Sequence, residues 1–599
     1  MSRLKFDPLP ACIVAALLFL CCFGLLDHDL WTPDEPRVAS IARQVAQGAW
    51  VIPTLNGEPF LEEPPFHVWC VALAFRWFGY DPPGVGRIVS ALFALGGLVF
   101  TYLLARELAG RQSGKGIGLL ATLALALCAE YFAAAHRVVP DAALTFFTTG
   151  SAFACVRGLR LESSEAAVFW LTLGYAFASL AFLSKGLIGL AVPGLAFLSV
   201  IAARRQLRQP ALALNSWERT LPACFLHRHI GTQDASAPRL QVLLRARLWL
   251  APVVFSAIAG PWLYLLDRKL GPQGLRLIFI DNTLWRILPS TGYVGGHTQP
   301  FYYYVVQFVP LLWPAALFVV GGILYRFSPK NELDSAEQFA CDVALLWLFS
   351  GMLMLSLAAT KRSIYLLPLL PAAAVVGGFW LDAFLRKQVD GFYDRAAGYI
   401  LAATLGVAAA APLVLLLASI FKLLPEGALA SVCSGFALPA VSLMAAIGVT
   451  FAVAVAVAAK RDKRKALLSV WLVGLVVTLL LASHTVTPVI DREKSFGPVC
   501  RTIGRLVPPA KSIYLWKPDE TTRAMIPFYT GRTAIAVQSK GQLRDYLAQE
   551  REVYLVDVEK NMWGDLEIIM AFAPKVLVED VRPGSRSIWL LYLNRIPAG

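Results

Sequence analysis

The stretch WTPDEPRVASIARQVAQGAWVIPTLNGEPFLEEPPFH, residues 31 to 67, directly follows the first hydrophobic segment of the chain. It carries five carboxylates, which are Asp34, Glu35, Glu58, Glu62 and Glu63. Acids gathered at the end of a hydrophobic segment lie where charged chemistry can meet a lipid-borne substrate. We therefore take this stretch as the candidate active-site loop, and the hydrophobic segments around it predict the fold.

Composition places the rest of the chain in a membrane. Of 599 residues, 57% are hydrophobic and 16% are charged, which is too apolar for a soluble enzyme of this size. The apolar residues come in blocks of about 17 to 25, the length that a helix needs to cross roughly 30 Å of hydrocarbon. We predict thirteen spans, at residues 9–26, 87–105, 116–132, 141–156, 166–183, 186–202, 249–266, 302–325, 340–358, 364–384, 397–420, 434–459 and 466–484. The predicted fold class is an α-helical polytopic membrane protein.

Lys and Arg cluster in alternate short loops. Examples are Arg3 with Lys5, Arg386 with Lys387, and the run KRDKRK at residues 460–465. Because short cytoplasmic loops carry the excess of positive charge, the amino terminus is predicted to be cytoplasmic. An odd number of spans then places the carboxyl terminus outside. The first span is predicted to remain as an anchor, since Cys21, Cys22 and Phe23 stand where a signal peptide would need small residues.

The net charge of +14 lies largely in loops that flank the spans, where orientation and anionic lipid headgroups explain it. Membrane lipids are thus predicted partners and nucleic acid is not. The chain has ten cysteines, many of them inside predicted spans, and lacks a C-x-x-C pattern. We therefore predict buried thiols, without a structural disulfide or a cysteine-based metal site.

Two segments depart from the pattern of spans. Residues 66–80 are apolar but short, which predicts an interfacial or re-entrant helix. From about residue 487 the composition becomes mixed, with β-like runs at 512–516, 533–537, 552–558, 575–580 and 587–593 and helical spacing at 540–550. We divide the chain into a membrane domain at 1–486, with an outer loop at 27–86, and a small outer α/β domain at 487–599.

Asp34 and Asp141 each stand at the start of a predicted helix on the outer side. Either carboxylate could cap its helix, which would be a purely structural role. Two outer carboxylates at the starts of different helices could also converge on one site.

Three cations also lie on the outer side. Lys185 stands between two spans, where it is either a snorkelling boundary residue or a phosphate contact. Lys361 and Arg362 run against the inside bias of positive charge, and a site for an anionic substrate would explain the exception.

An aromatic loop precedes the eighth predicted span. It contains Arg286 beside Asp281 and Asn282, and the run HTQPFYYYV, which includes His297 and Tyr303. Aromatic residues at an interface usually form a membrane belt. An arginine beside them is also well made to bind a phosphate or a sugar hydroxyl.

Six motifs recur in this order in one family: DEPRVASIARQ, GAWVIPTLNGEPFLEEPPFHVW, HRVVPDAALTFF, LSKGLIGL, DNTLWRI with GHTQPFYYYV, and KRSIYLLPLLPA. Over about residues 28–385 the chain resembles the bacterial membrane glycosyltransferases related to 4-amino-4-deoxy-L-arabinose lipid A transferase and, more distantly, the protein O-mannosyltransferases. The resemblance implies a type C glycosyltransferase fold with thirteen spans and an outer carboxyl-terminal domain. It also implies a sugar donor on polyprenyl phosphate, used at the outer face.

The resemblance makes Asp34 the proposed catalytic centre and Asp141 the second acidic position. Transfer to a hydroxyl needs a base, and the departing lipid phosphate needs positive charge. We expect contacts to substrate or lipid phosphate from Arg37, Phe60, Glu62, Glu63, Lys185, Arg286, His297, Tyr303, Lys361 and Arg362. If the acceptor were a lipid A phosphate, Asp34 would instead orient the substrate or stabilise positive charge on the sugar.

One position departs from the family. The aminoarabinose transferases typically read LEKPP, where the lysine contacts lipid phosphate, whereas this chain reads LEEPP at residues 61–65. Glu63 reverses the local charge, which disfavours a phosphate unless another cation compensates. Glu62 and Glu63 could hold a divalent cation, although two carboxylates make only a weak metal signature. No other cofactor is expected.

The sequence thus predicts an inner-membrane glycosyltransferase that uses a polyprenyl-phosphate sugar and modifies lipid A or another envelope glycan. A protein O-glycosyltransferase of the same fold is the alternative acceptor class. A lipid or sugar transporter or flippase is the alternative from another class, but transporters tend to place ionisable residues near the bilayer midplane. Here the charges gather at outer helix ends, which favours the enzyme.

Overall fold

The computed structural model describes residues 9–110, 114–161, 165–206, 247–284, 298–423, 433, 435–559, 569, 572, 574–581 and 586–594. In chain order its helices are α1 (Leu9–Cys22), α2 (Asp34–Ala46), α3 (Phe66–Phe78), α4 (Val85–Ala109), α5 (Gly114–Ala126), α6 (Ala129–Ala135), α7 (Asp141–Arg160), α8 (Glu165–Lys185), α9 (Ile188–Gln206), α10 (Leu250–Ile258), α11 (Gly260–Leu270), α12 (Pro272–Arg276), a π-helix (Leu277–Leu284), α13 (Tyr303–Leu312), α14 (Ala316–Phe327), α15 (Ser335–Leu357), a 3-10 helix (Ser363–Leu369), α16 (Leu370–Leu385), α17 (Phe392–Ile420), α18 (Leu438–Lys460), α19 (Arg464–Thr485), α20 (Thr487–Lys494), α21 (Gly497–Leu506), α22 (Glu520–Thr530) and α23 (Lys540–Glu550).

Eight of the described helical segments are long and apolar enough to cross a membrane, and α10 with α11, bent by 52°, would make a ninth. Six shorter apolar helices accompany them in the described part of the chain. Each predicted span overlaps at least one described helix. The multi-pass membrane architecture is therefore confirmed, while the total of thirteen spans stays a prediction.

The outer loop forms a compact unit around α2 and α3. Between these helices, strands β1 (Thr54–Leu55) and β2 (Glu58–Pro59) pair in an antiparallel hairpin. Its turn residues Asn56 and Gly57 have φ values of 54° and 83°, which an Asn-Gly pair adopts readily. The helix predicted at 66–80 corresponds to α3, and its interfacial or re-entrant position stays a prediction.

A buried ion pair fixes the start of α2. Arg87 Nε donates to Glu35 Oε1 at 2.7 Å, and Arg87 Nη2 donates to Glu35 Oε2 at 2.9 Å. The other Arg87 donors bond backbone carbonyls at the end of the first hydrophobic segment. Glu35 also accepts from the backbone N–H of Val138 at 3.1 Å. Since Glu35 adjoins Asp34 and Val138 lies three residues before Asp141, this pair holds both candidate acids in place.

The carboxyl-terminal region contains a five-stranded sheet. Its strands are β3 (Ile513–Trp516), β4 (Ala534–Val537), β5 (Val553–Glu559), β6 (Lys575–Val581) and β7 (Ser587–Leu593), in the order β4-β3-β5-β7-β6. β3 is parallel to β4 and β5, whereas β7 is antiparallel to β5 and β6. Each strand lies at a predicted β-like run, and α23 lies at the predicted helix. The α/β fold of this region is confirmed, while its boundary at residue 487 stays a prediction.

The carboxyl-terminal region docks on the outer loop. Phe528 and Ala524 of α22 are buried in one apolar cluster with Val38 and Ala42 of α2. Asn56 adds a polar contact, because its side-chain amide donates to the carbonyl of Ala534 and accepts from the N–H of Ala534, both at 2.8 Å. The loop and the sheet therefore lie on the same side of the membrane domain.

Candidate active site

Asp34 is the first residue of α2, and its carboxylate lies between two arginines. Oδ1 accepts from Arg37 Nη2 at 3.0 Å, and Oδ2 accepts from Arg362 Nη2 at 2.5 Å. Pro33 occupies the N-cap position without a side-chain cap, so the capping role considered for Asp34 is wrong. Burial would raise the pKa of Asp34, but the charge and hydrogen bond of Arg362, with the charge of Arg37, hold that pKa below its usual value. Asp34 is therefore an ionised carboxylate at neutral pH.

Asp141 and Lys185 form a second ion pair next to Asp34. Lys185 Nζ donates to Asp141 Oδ1 at 2.5 Å and lies 3.7 Å from Glu63 Oε1. Pro140 holds the N-cap position of α7 without a side-chain cap, so Asp141 is not a cap either. The Lys185 side chain is 12% exposed, which is less than a snorkelling lysine would show. Gly186 follows with a φ of 71°, a conformation that glycine adopts without strain.

Arg37 links Asp34 to the remaining predicted residues of the loop. Its Nη1 lies 2.7 Å from Glu520 Oε1 of the carboxyl-terminal region and 3.7 Å from Glu62 Oε2. Its Cζ lies 5.9 Å from the centroid of the Phe60 ring. Phe60 and Glu62 thus contact Arg37, which in turn contacts Asp34.

The described part of the site is acidic. Three cations, Arg37, Lys185 and Arg362, are in contact with carboxylates. These carboxylates are Asp34, Glu62, Glu63, Asp141 and Glu520. Five acids around three cations would repel a phosphate unless further positive charge enters the site. The predicted Arg286 and His297 lie outside the described residues.

Glu62 and Glu63 do not fit the predicted divalent cation. Glu62 lies against Arg37, whereas Glu63 lies against Lys185, with each contact at 3.7 Å. Within the described ranges, no group of three or more His, Cys, Asp or Glu residues could hold a metal ion. Each of these two glutamates instead lies near a different cation, which it shares with other carboxylates of the site.

Lys361 and Tyr303 lie behind Arg362. Lys361 Nζ donates to the carbonyls of Ala358 and Gln299, at 2.6 and 2.9 Å. Tyr303 packs edge-on against Tyr304 with ring centroids 5.2 Å apart, and the Tyr304 hydroxyl donates to the carbonyl of Arg362 at 3.3 Å. In this structure both residues support the backbone near Arg362 instead of facing Asp34.

A cavity of about 430 Å³ opens beside Asp34. Its apolar part is lined by Phe19, Phe23, Phe132, Leu479 and Ala482, and its polar part by Asp27, His28, Asp34, Glu35, His136, Arg137 and Lys494, among others. Arg137 and Lys494 are exposed, and neither is in an ion pair with any described residue. A smaller cavity on the Arg37 side is lined by Phe60, Glu62 and Glu63 and shares no residue with the large one.

Sequence reasoning missed two acids at the site. Glu130 of α6 is 7% exposed, and in the described structure its Oε1 accepts no hydrogen bond. The available signal was a carboxylate within an apolar segment. Glu520 lies 483 residues from its partner Arg37, and no local pattern could have revealed that contact.

Comparisons with known proteins agree with this architecture. Residues 62–217 match the family described as dolichyl-phosphate-mannose-protein mannosyltransferase. The undecaprenyl phosphate-alpha-4-amino-4-deoxy-L-arabinose arabinosyl transferase 1 of Pseudomonas fluorescens is 26% identical over 377 residues, which cover 62% of this chain and 60% of that protein. An uncharacterized protein of Aquifex aeolicus is 24% identical over 379 residues, covering 63% of this chain and 64% of the relative. The chain thus spans under two thirds of the length of these curated relatives.

A solved structure extends the comparison to the whole fold. The crystal structure of ArnT from Cupriavidus metallidurans bound to undecaprenyl phosphate superposes with a TM-score of 0.69 at 21% identity, covering 97% of both chains. The resemblance inferred from the six sequence motifs is therefore confirmed by these relatives, and the chain shares the fold of ArnT from Cupriavidus metallidurans.

Proposed function

We propose that this chain is a glycosyltransferase of the bacterial inner membrane that moves a sugar from a polyprenyl-phosphate donor to an acceptor at the outer face. The observation that carries this proposal is Asp34, an ionised carboxylate between Arg37 and Arg362 and next to the Lys185–Asp141 pair. The arabinosyl transferase relative and the undecaprenyl phosphate bound to ArnT support the class of donor. Lipid A or another envelope glycan is the leading acceptor, and a protein hydroxyl is the alternative.

The geometry supports an inverting transfer with Asp34 as the base. A hydroxyl oxygen of the acceptor attacks the anomeric carbon as the bond from that carbon to the phosphate oxygen breaks. Asp34 takes the hydroxyl proton, and the bonding electron pair leaves with the polyprenyl phosphate. The departing phosphate gains negative charge, and the cation proposed to stabilise it is Lys185, which lies near Glu63.

A lipid A phosphate would change the role of Asp34. Its oxygen is already anionic and needs no base, so Asp34 would stabilise the positive charge that develops on the sugar ring. In this case the transfer rate would not depend on proton removal, and a solvent deuterium isotope effect distinguishes the two acceptors.

The proposed topology places the catalytic loop and the carboxyl-terminal domain outside. Contacts between α2 and α22 support a position of both on one side of the membrane, and the Lys and Arg bias of the loops favours a cytoplasmic location for the other side. We accordingly propose a membrane domain at 1–486, a periplasmic domain at 487–599 and a cytoplasmic amino terminus. Cysteine accessibility at either end of the chain tests this arrangement.

A transporter remains the alternative class, and the position of the charges argues against it. Asp34 and Asp141 begin their helices, Lys185 ends α8, and Arg362 immediately precedes the 3-10 helix. Transport sites usually lie near the bilayer midplane, at breaks within spanning helices. Charges at helix ends instead suit chemistry at the membrane surface.

The decisive test is Asp34→Asn, measured as transfer of sugar from a polyprenyl-phosphate donor in purified protein. We expect a loss of about 10²-fold or more, as is typical for a lost general base. Asp81→Asn, which removes an exposed carboxylate from the same loop, is the control and should transfer normally. Full activity in Asp34→Asn would overturn the assignment. Mass spectrometry of lipid A and envelope glycans from cells with and without the gene then identifies the acceptor.

A further inference from the structure

Arg37 connects two acids that lie far apart in the chain. Its Nη2 is 3.0 Å from Asp34 Oδ1, and its Nη1 is 2.7 Å from Glu520 Oε1. The donors of a guanidinium group lie in one rigid plane. Fixing one terminal nitrogen on Glu520 therefore fixes the direction in which the other meets Asp34.

Glu520 is the first residue of α22, and its side chain is 49% exposed, but the start of this helix is fixed. The preceding residue, Asp519, caps this helix by accepting from the N–H of Thr522 at 2.9 Å, and Arg586 lies 2.7 Å from its carboxylate. Phe528 further along α22 is buried against α2. The backbone that carries Glu520 is thus held against α2, within reach of Arg37.

The orientation of the Asp34 carboxylate matters for a base, because the oxygen that takes the proton must face the acceptor hydroxyl. Arg37 Nη2 bonds to Asp34 Oδ1, so an Arg37 side chain fixed by Glu520 also fixes the orientation of that carboxylate.

We propose that Glu520, supplied by the carboxyl-terminal region, is a positioning residue of the transfer reaction that orients Arg37 and, through Arg37, the Asp34 carboxylate. The inference rests on the proposed function, since it takes Asp34 as the base. It gives the carboxyl-terminal region a direct part in the chemistry, beyond covering the loop.

The test compares Glu520→Gln with Glu58→Gln. Glu58 forms the neighbouring ion pair with Arg523, one turn further along α22, so its substitution breaks a contact between the same two segments without reaching Asp34. We expect Glu520→Gln to lower kcat by about three- to tenfold, well short of the 10²- to 10⁴-fold of a lost base, while the KM for the donor stays unchanged. Glu58→Gln should have the kcat of the wild type.

A double-mutant cycle separates positioning from general stability. If Glu520 acts through Arg37, adding Glu520→Gln to Arg37→Gln should not lower kcat further. Glu520→Asp, which keeps the charge on a shorter side chain, should retain more activity than Glu520→Gln. It also provides a second variant if Glu520→Gln folds poorly.

Three results would overturn the inference while the proposed function stands. The first is a wild-type kcat in Glu520→Gln. The second is that Glu520→Gln lowers kcat in the Arg37→Gln background by the same factor as in the wild type. The third is that Glu58→Gln lowers kcat as much as Glu520→Gln does. Absence of sugar transfer by the wild-type protein from any polyprenyl-phosphate donor would overturn the proposed function, and this inference with it.

Discussion

The Nη2 atom of Arg362 lies 2.5 Å from Oδ2 of Asp34, although 328 residues separate the two in the chain. This contact joins the outer loop to the start of the spanning segment Ser363–Leu385. It is also the main influence that keeps the Asp34 carboxylate charged, because burial acts in the opposite direction and raises its pKa. The acid strength of the proposed base is therefore set mainly by a residue from a distant part of the membrane domain.

Arg362→Gln should raise the pKa of Asp34. With Arg362 present, the pKa of Asp34 lies below its usual value. Without Arg362, less positive charge opposes the effect of burial, so the pKa of Asp34 should rise. The acidic limb of the plot of kcat against pH should then move to higher pH. The measurement is kcat against pH, with Arg362→Lys as the variant that keeps the charge. An unmoved acidic limb would show that Asp34 is not the group that titrates.

Lys185→Gln should destabilise the protein by leaving Asp141 without its partner. The Asp141 side chain is 3% exposed, and breaking a buried ion pair from one side typically costs about 3–5 kcal/mol. Adding Asp141→Asn should restore much of the thermal stability in detergent but not the transfer activity. Recovery of both would assign the pair a purely structural role.

Glu63→Lys should strengthen binding of polyprenyl phosphate. The substitution removes one of the five carboxylates at the site and adds a cation. It also changes LEEPP at residues 61–65 to LEKPP, the motif typical of the aminoarabinose transferases that the sequence resembles. A partly exposed charge contact contributes up to about 1 kcal/mol, which corresponds to roughly fivefold in affinity. Binding of polyprenyl phosphate to purified protein measures this. Weaker binding would place the lipid phosphate away from residue 63.

Arg137→Gln and Lys494→Gln should raise the KM for an anionic acceptor and leave the KM for the donor unchanged. Both cations line the cavity of about 430 Å³ beside Asp34. Arg37 and Glu63 line the other, smaller cavity instead. Initial rates at varied acceptor and donor concentrations separate the two constants. A rise in the donor KM alone would assign this cavity to the donor.

Arg87→Met should lower the free energy of unfolding by about 3–5 kcal/mol, because it leaves the Glu35 carboxylate buried without its partner. The two side chains are 0% and 3% exposed. Arg523→Gln breaks a more exposed ion pair in the same outer region and should cost at most about 1 kcal/mol. Thermal unfolding of the two variants in detergent makes the comparison, and equal losses would contradict the ranking.

Local patterns in the sequence predicted most of the architecture. Alternating apolar runs gave the five strands of the carboxyl-terminal sheet, and runs of apolar residues gave the membrane helices, because both depend on neighbours within a few positions. The prediction that Asp34 or Asp141 could cap its helix failed because a proline occupies each N-cap position and distant cations bind the carboxylates.

Contacts between distant residues were beyond such patterns. The family motifs brought Asp34, Lys185 and Arg362 to one site, but no spacing showed that Arg362 would reach Asp34 or that Glu520 would reach Arg37. Lys361 and Arg362 were equal candidates for a substrate contact because both are positively charged. In the structure, the ammonium group of Lys361 donates hydrogen bonds to two backbone carbonyls instead. Which of two adjacent cations faces the site depends on the path of the backbone.

The paired hydrogen bonds between Asn56 and Ala534 have a consequence for the assembly state of the protein. Ala534 lies on β4, the outermost strand on its side of the sheet, and an unprotected outer strand can recruit a strand from another molecule. The side-chain amide of Asn56 occupies the backbone donor and acceptor of Ala534, one of the positions that such a strand would use. Docking of the outer loop therefore also guards the sheet against self-association, and the carboxyl-terminal region released from the loop should tend to aggregate through β4.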